Sequence, residues 1–183
     1  TAYEIRNCDW SSDVCSSDLR GSIPTPGPPT ARYGGNTPCV AVERVDATTR
    51  HVVILDAGTG IRPLGRALME QHDGPVAIDL LLSHTHWDHI QGLPFFAPFF
   101  HESNAVHVWG AKQGDVDLRT ILRRQMDPVV FPVPIEGLSA RLDVDHVDAG
   151  RFDLEGFAVR TMRLRHPGTT LAYRLTPKDA AGG

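Results

Sequence analysis

The chain has 183 residues, 41% of them hydrophobic and 22% charged, with a formal net charge of -4. That is the size of one domain with apolar content enough for a core, which excludes a fibrous or disordered chain. No run approaches the roughly 20 apolar residues of a membrane-spanning helix, and no secretory leader pattern opens the chain, so neither membrane insertion nor export is expected.

The first nineteen residues read as non-native. Asp9-Trp10-Ser11-Ser12-Asp13-Val14-Cys15-Ser16-Ser17-Asp18-Leu19 is one reading frame of a common sequencing adapter, and Thr1 to Ile5 fits its other arm, leaving Arg6 to Cys8 for a sample index. Residues 1–19 are therefore expected to be an adapter-derived tail and residues 20–183 a single domain. Without the tail, 17 basic residues face 18 acidic ones, a net charge of -1. A near-neutral domain has no electrostatic footprint for a long nucleic acid. Cys8 and Cys15 fall in the tail, and Cys39 alone cannot form an internal disulfide, which fits a reducing cytoplasm.

Residues 20–36 are rich in Gly and Pro and predict a shaped loop. Thr37 to Val45 and His51 to Asp56 are β-branched and apolar, and the short polar turn between them predicts a hairpin. Gly58 and Gly60 end the second strand. Ile61, Leu64, Leu68 and Met69 then recur at helical spacing, predicting a helix over Ile61 to Gln71 with Pro63 in its first turn. Val76 to Leu82 is a nearly continuous apolar run, as expected of a strand covered on both faces. The aromatic run Leu93 to Phe100, with Val129 to Pro134, either packs on the domain's own core or forms a partner or homodimer surface. Further strands are expected at Val106 to Trp109, Arg141 to Val147, Phe157 to Leu164 and Leu171 to Thr176, with a helix at Val116 to Met126. The alternation argues for α/β layering, antiparallel in character at both ends.

The chemistry is concentrated where the Val76 to Leu82 strand stops. His84, His86, Asp88 and His89 put three imidazoles and a carboxylate into six residues. Imidazole nitrogen and carboxylate oxygen are the ligands a divalent ion such as zinc accepts. Alternation turns His84 and His86 to the same side of an extended segment, while Asp88 and His89 follow a bend, so two neighbouring ions can each receive a pair. His51, His72, His101, His107 and His146 have no neighbours at ligand spacing and are expected to be solvated or internally satisfied.

The run His84-Thr85-His86-Trp87-Asp88-His89, followed by Gly92, resembles the signature of the metallo-β-lactamase superfamily. Arg20 to Gly27, Arg32-Tyr33-Gly34-Gly35-Asn36-Thr37, Leu55-Asp56-Ala57-Gly58-Thr59-Gly60 and His89-Ile90-Gln91-Gly92-Leu93-Pro94 are similar to the branch containing ribonuclease Z and phosphoribosyl 1,2-cyclic phosphodiesterase. The resemblance spans about residues 20–176. It implies an α/β fold, the four-layer αββα sandwich, with two divalent metal ions at one edge, zinc or alternatively manganese. His84, His86 and His166 would bind the first ion, and Asp88 and His89 the second. Asp56 would be a buried aspartate that orients the ligand loop without touching metal, or else a strand-ending turn residue. Asn36, beside a Gly-Gly turn, would either contact substrate in the cleft or simply serve the turn. The family pattern continues with a bridging aspartate and a last histidine. Only Pro177 to Gly183 follow the last expected strand, and Asp179 comes too soon after it, so the fold is expected to be incomplete at the C-terminus and this fragment inactive by itself.

An intact protein of this kind would use two ions to lower the pKa of a shared water, giving a bridging hydroxide near neutral pH, with Asp88 orienting the attack. The expected activity is phosphodiester hydrolysis of a small or cyclic nucleotide-like substrate in the cytoplasm. Three alternatives stand beside it: transfer-RNA 3′ processing, thioester or lactone hydrolysis on the same fold, and a non-catalytic interaction module.

Overall fold

A computed structural model describes residues 2–7, 21–30, 32, 34–45, 50–71 and 74–178. Among the described residues, nine strands form two sheets. The first, in the order β1-β2-β3-β4-β5-β6, contains β1 (Ala2–Asn7), β2 (Val40–Val45), β3 (Arg50–Leu55), β4 (Ala77–Leu81), β5 (Ala105–Gly110) and β6 (Arg141–His146). The second is the meander β7 (Gly150–Leu154), β8 (Phe157–Leu164) and β9 (Thr170–Pro177). β2 and β3 form the expected antiparallel hairpin, with Val40 opposite Leu55. β3 to β6 run parallel, so each step needs a crossover. Helix α1 (Ile61–Glu70) serves the first, α2 (Trp87–Ile90) with two 3-10 turns the second, and α3 (Leu118–Gln125) the third.

β1 lies inside the stretch read as adapter-derived and adds to the edge of β2, with Ala2 opposite Val45. Such pairing uses backbone groups that any non-proline residue offers, so it says nothing of the stretch's origin. The rest of the expected tail, and Asp179, lie outside the described residues.

Side-chain alternation assigns the faces of the first sheet. Val52, Ile54, Ile78, Leu80, Val106 and Val108 pack with Ile61, Leu64 and Leu68 of α1 and Leu118 and Leu122 of α3. Val53 and Leu81 point the other way, against Leu154, Phe157 and Val159 of the second sheet. Burial on both sides explains why β3 and β4 read as nearly unbroken apolar runs. The described residues therefore build helix, sheet and sheet, three of the αββα layers, and none of their helices packs on the outer face of β7–β9. No described helix is long and apolar enough to cross a membrane.

Between the sheets lies a polar cluster. Asp79 contacts His51 Nε2 through Oδ2 at 2.7 Å and accepts the Trp109 indole N–H on Oδ1 at 2.6 Å, while His51 Nδ1 donates to the Glu155 carbonyl at 3.1 Å. Burial of these groups is tolerable because each is bonded. His51 is thus a satisfied histidine, as are His101 against Ser103 and His107 against Asp145.

Three expectations need adjusting. The third helix begins at Leu118 rather than Val116, because Val116 pairs with Gln113 and Asp117 caps the helix by accepting Thr120 N–H at 2.8 Å. β7 was not expected: its alternation rests on only Phe152 and Leu154, and the signal is the two-residue Glu155-Gly156 turn, with Gly156 at φ 77°. The Leu93 to Phe100 run divides, with Leu93, Phe96 and Phe99 fully buried and Phe95 and Phe100 exposed.

Candidate metal centre

β4 stops at Leu81, and Leu82 N–H bonds to the Trp109 carbonyl at 2.8 Å, fixing the strand's end against β5. The chain then runs extended to His86 (φ -63°, ψ 152°) and turns into α2, so His84 and His86 project from a strand-like segment and Asp88 and His89 from the helix. Two glycines permit the turn. A Cβ on Gly92 would lie 2.1 Å from the Gly58 carbonyl oxygen, and one on Gly58 2.5 Å from the Asp88 carbonyl oxygen. Ala57, between them, donates its N–H to the His89 carbonyl at 2.7 Å and accepts that of Gly92 at 2.9 Å.

The five expected ligands meet in one cleft of about 540 Å³. Ligand atoms of His84, His86 and His166 lie within 4.8 Å of one another. The ring centres of His84 and His86 are 4.5 Å apart, and His166 stands 4.8 and 5.0 Å from them. Beside this trio the His89 ring is 4.1 Å from His84, and His89 Nε2 is 3.6 Å from Asp88 Oδ2. The arrangement is a three-nitrogen point next to a nitrogen-oxygen point.

The donor set fits divalent metal. Burial, with the nearby charges of His89 and His86, lowers the His84 pKa to about 4, so its imidazole is neutral and its lone pair free at neutral pH. Burial alone would push the Asp88 carboxyl up. The Ser22 N–H, 2.9 Å from Oδ2, and the neighbouring His89 outweigh that and hold it below its usual value. A carboxylate is therefore ready at neutral pH.

Asp56 sits behind the ligands. Its Oδ1 accepts Ser83 N–H at 2.7 Å, and Oδ2 accepts Ser83 Oγ–H at 2.9 Å and His89 Nδ1–H at 2.8 Å. The last bond leaves Nε2 of His89 as the lone-pair nitrogen on the Asp88 side. Burial disfavours charge on His89, but the bond to Asp56 and the charges of Asp56 and Asp88 raise its pKa overall. Asp56 is held at φ 62°, a conformation costing a non-glycine residue about 1–3 kcal/mol, which three side-chain bonds help offset. Ser83 Oγ also lies 3.0 Å from His84 Nδ1, extending the chain of bonds to a second ligand.

Asn36 does not line the cleft. Its Oδ1 accepts the Thr59 hydroxyl at 3.0 Å, inside a lattice where Thr37 and Thr59 exchange backbone and hydroxyl bonds. Sequence reading missed Ser22, whose φ of 69° aims its N–H at Asp88, and Arg165, which lines the cleft beside His166. It also missed Tyr173, whose hydroxyl donates to the Leu82 carbonyl at 2.8 Å and whose pKa burial raises. Position beside a ligand was the available signal for Arg165. A bond across 66 residues, as for Ser22, leaves none.

Comparison with known proteins agrees with this geometry. A family model described as the beta-lactamase superfamily domain matches residues 51–182. No curated protein matches the chain in sequence. Among solved structures, yeast PDE1 aligns with a TM-score of 0.57 at 15% identity, over 97% of this chain and 62% of its own. The short form of human tRNase Z aligns at 0.50 and 17% identity, over 85% and 62%. A diphosphatase from the PhnP family aligns at 0.50 and 20% identity, over 75% and 48%. The chain thus spans about half to three-fifths of the length of the structures it resembles. With the matched family model covering residues 51–182, which hold β4 to β9, nearly all of β3, the His84–His89 loop and His166, the chain belongs to the beta-lactamase superfamily, in its metallo-β-lactamase-fold form.

Proposed function

We propose that this chain carries the metal-holding part of a binuclear hydrolase that cleaves small phosphodiesters. The observation that carries the reading is the convergence of His84, His86 and His166 on one point, with Asp88 and His89 on a second point in the same cleft. Histidine nitrogen with a single carboxylate suits zinc, with manganese as the alternative. Ions bound there would supply Lewis acidity and a water that ionises near neutral pH. Asp88, steadied by Ser22 N–H, would orient the attacking water. Arg165 gives the cleft a cation suited to an anionic substrate, and a diphosphatase and a tRNase Z share the fold. The near-neutral charge of residues 20–183 argues for a small substrate over a long nucleic acid.

The test is hydrolysis of bis(p-nitrophenyl) phosphate with zinc or manganese, by the chain alone and by any longer natural form. Phosphodiester cleavage is expected in the longer form, and the chain alone is expected to be weak or inactive. Metal-loaded longer protein that leaves phosphodiesters intact but opens thioesters, lactones or lactams would assign another substrate class. A protein that binds no ion would be an interaction module.

A further inference from the structure

His166 rides on the exposed tip of the β8–β9 hairpin, beyond Leu164 and Thr170, the last registered pair. Its hydrogen-bond contact is with another ligand candidate, His86 Nδ1, at 3.2 Å. An exposed tip of this kind has little packing with which to fix an imidazole. The restraint comes instead from the first sheet. Gln113, in the loop between β5 and α3, donates from Nε2 to the Thr169 carbonyl at 2.8 Å and accepts Thr169 N–H on Oε1 at 2.9 Å.

Those are the donor and the acceptor of one residue's backbone, so the carboxamide stands in for a neighbouring strand. Gln113 is itself anchored. Its backbone exchanges bonds of 3.0 and 3.1 Å with Val116 across a turn containing Gly114 at φ 59°, and Asp117 then caps α3. Gly168, at φ 78°, lies against the same carboxamide: a Cβ there would come within 2.7 Å of Gln113 Oε1.

We infer that Gln113 is the positioning residue for His166, setting where the third imidazole stands relative to His84 and His86 by holding the backbone of Thr169. It touches neither ligand nor substrate. The inference rests on the reading of His84, His86 and His166 as a metal set. It predicts that Gln113 matters to metal binding only while His166 is present.

Cobalt(II) titration of the full chain, followed by visible absorption, tests this in wild type, Q113A, Q113E, H166A and the Q113A/H166A pair, with melting of each metal-free protein measured alongside. Q113E keeps the acceptor for Thr169 N–H but sets a carboxylate oxygen against the Thr169 carbonyl. Both Gln113 variants are expected to weaken cobalt binding about tenfold and to change the absorption band. Q113A should add no loss to H166A. An equal loss in the presence and absence of His166, or unchanged affinity in both Gln113 variants, overturns the inference while leaving the metal site standing. Should Q113A not fold, Q113E and Q113E/H166A carry the same comparison. A wild-type chain that takes up no cobalt overturns the metal site and the inference with it.

Discussion

Asp56 concentrates more of the site's order than any ligand does. One carboxylate fixes the amide and hydroxyl of Ser83 and the tautomer of His89, from a backbone conformation that aspartate adopts only under constraint. Asp56→Asn keeps the shape but must turn its NH₂ toward one of those donors. One buried donor is then left unmatched, at about 1–3 kcal/mol. The expected outcome is a lower melting temperature together with about 10- to 100-fold weaker zinc affinity. Both are read by thermal melting and competition titration; an unchanged zinc affinity would place Asp56 outside the site's machinery. The position was legible in Leu55-Asp56-Ala57-Gly58, because the resemblance singles out that aspartate, and its bonds to Ser83 and His89 are what the structure adds. The left-handed backbone was not, since it arises from Ser83 and His89, which lie 27 and 33 residues away in sequence.

At the scale of elements, α2 is only four residues long and owes its place to contact with the loop after β3. Gly92 makes that contact, its Cα facing the Gly58 carbonyl with no room for a methyl group. Gly92→Ala must therefore move backbone, at about 1–3 kcal/mol or more. It should lower the melting temperature and displace Asp88 and His89 while leaving His84 and His86 in place. Titration should then find the second ion's binding weakened more than the first's, and equal weakening would refute the separation. The elements that sequence located to within about a residue, β3 to β6, β8, β9 and α1, carry an alternation or helical spacing imposed by a core face. β7 escaped because its outward residues, Arg151 and Asp153, are as numerous as its inward ones and only a Gly156 turn marks it. The start of α3 was misplaced because Val116, apolar and helix-compatible, is spent on pairing with Gln113. That use depends on tertiary structure and leaves no periodic trace.

Across the whole molecule, the three-histidine set is divided between layers: His84 and His86 leave the first sheet, and His166 belongs to the second. Hydrogen bonds already join the layers near the site, with Leu171 N–H bonded to the Ser83 carbonyl at 2.8 Å, the Tyr173 hydroxyl to the Leu82 carbonyl, and the Gln113 carboxamide to Thr169. An ion held by all three imidazoles would add a further tie, one that depends on its concentration. Chelation should lower the melting temperature and speed amide hydrogen exchange in β8 and β9 more than in β3 and β4, and a uniform change would argue against a site spanning the two sheets. Such an ion would close a ring of about 80 residues through His86 and His166, acting as a removable staple between the sheets. Metal supply would then govern how long this molecule survives proteolysis.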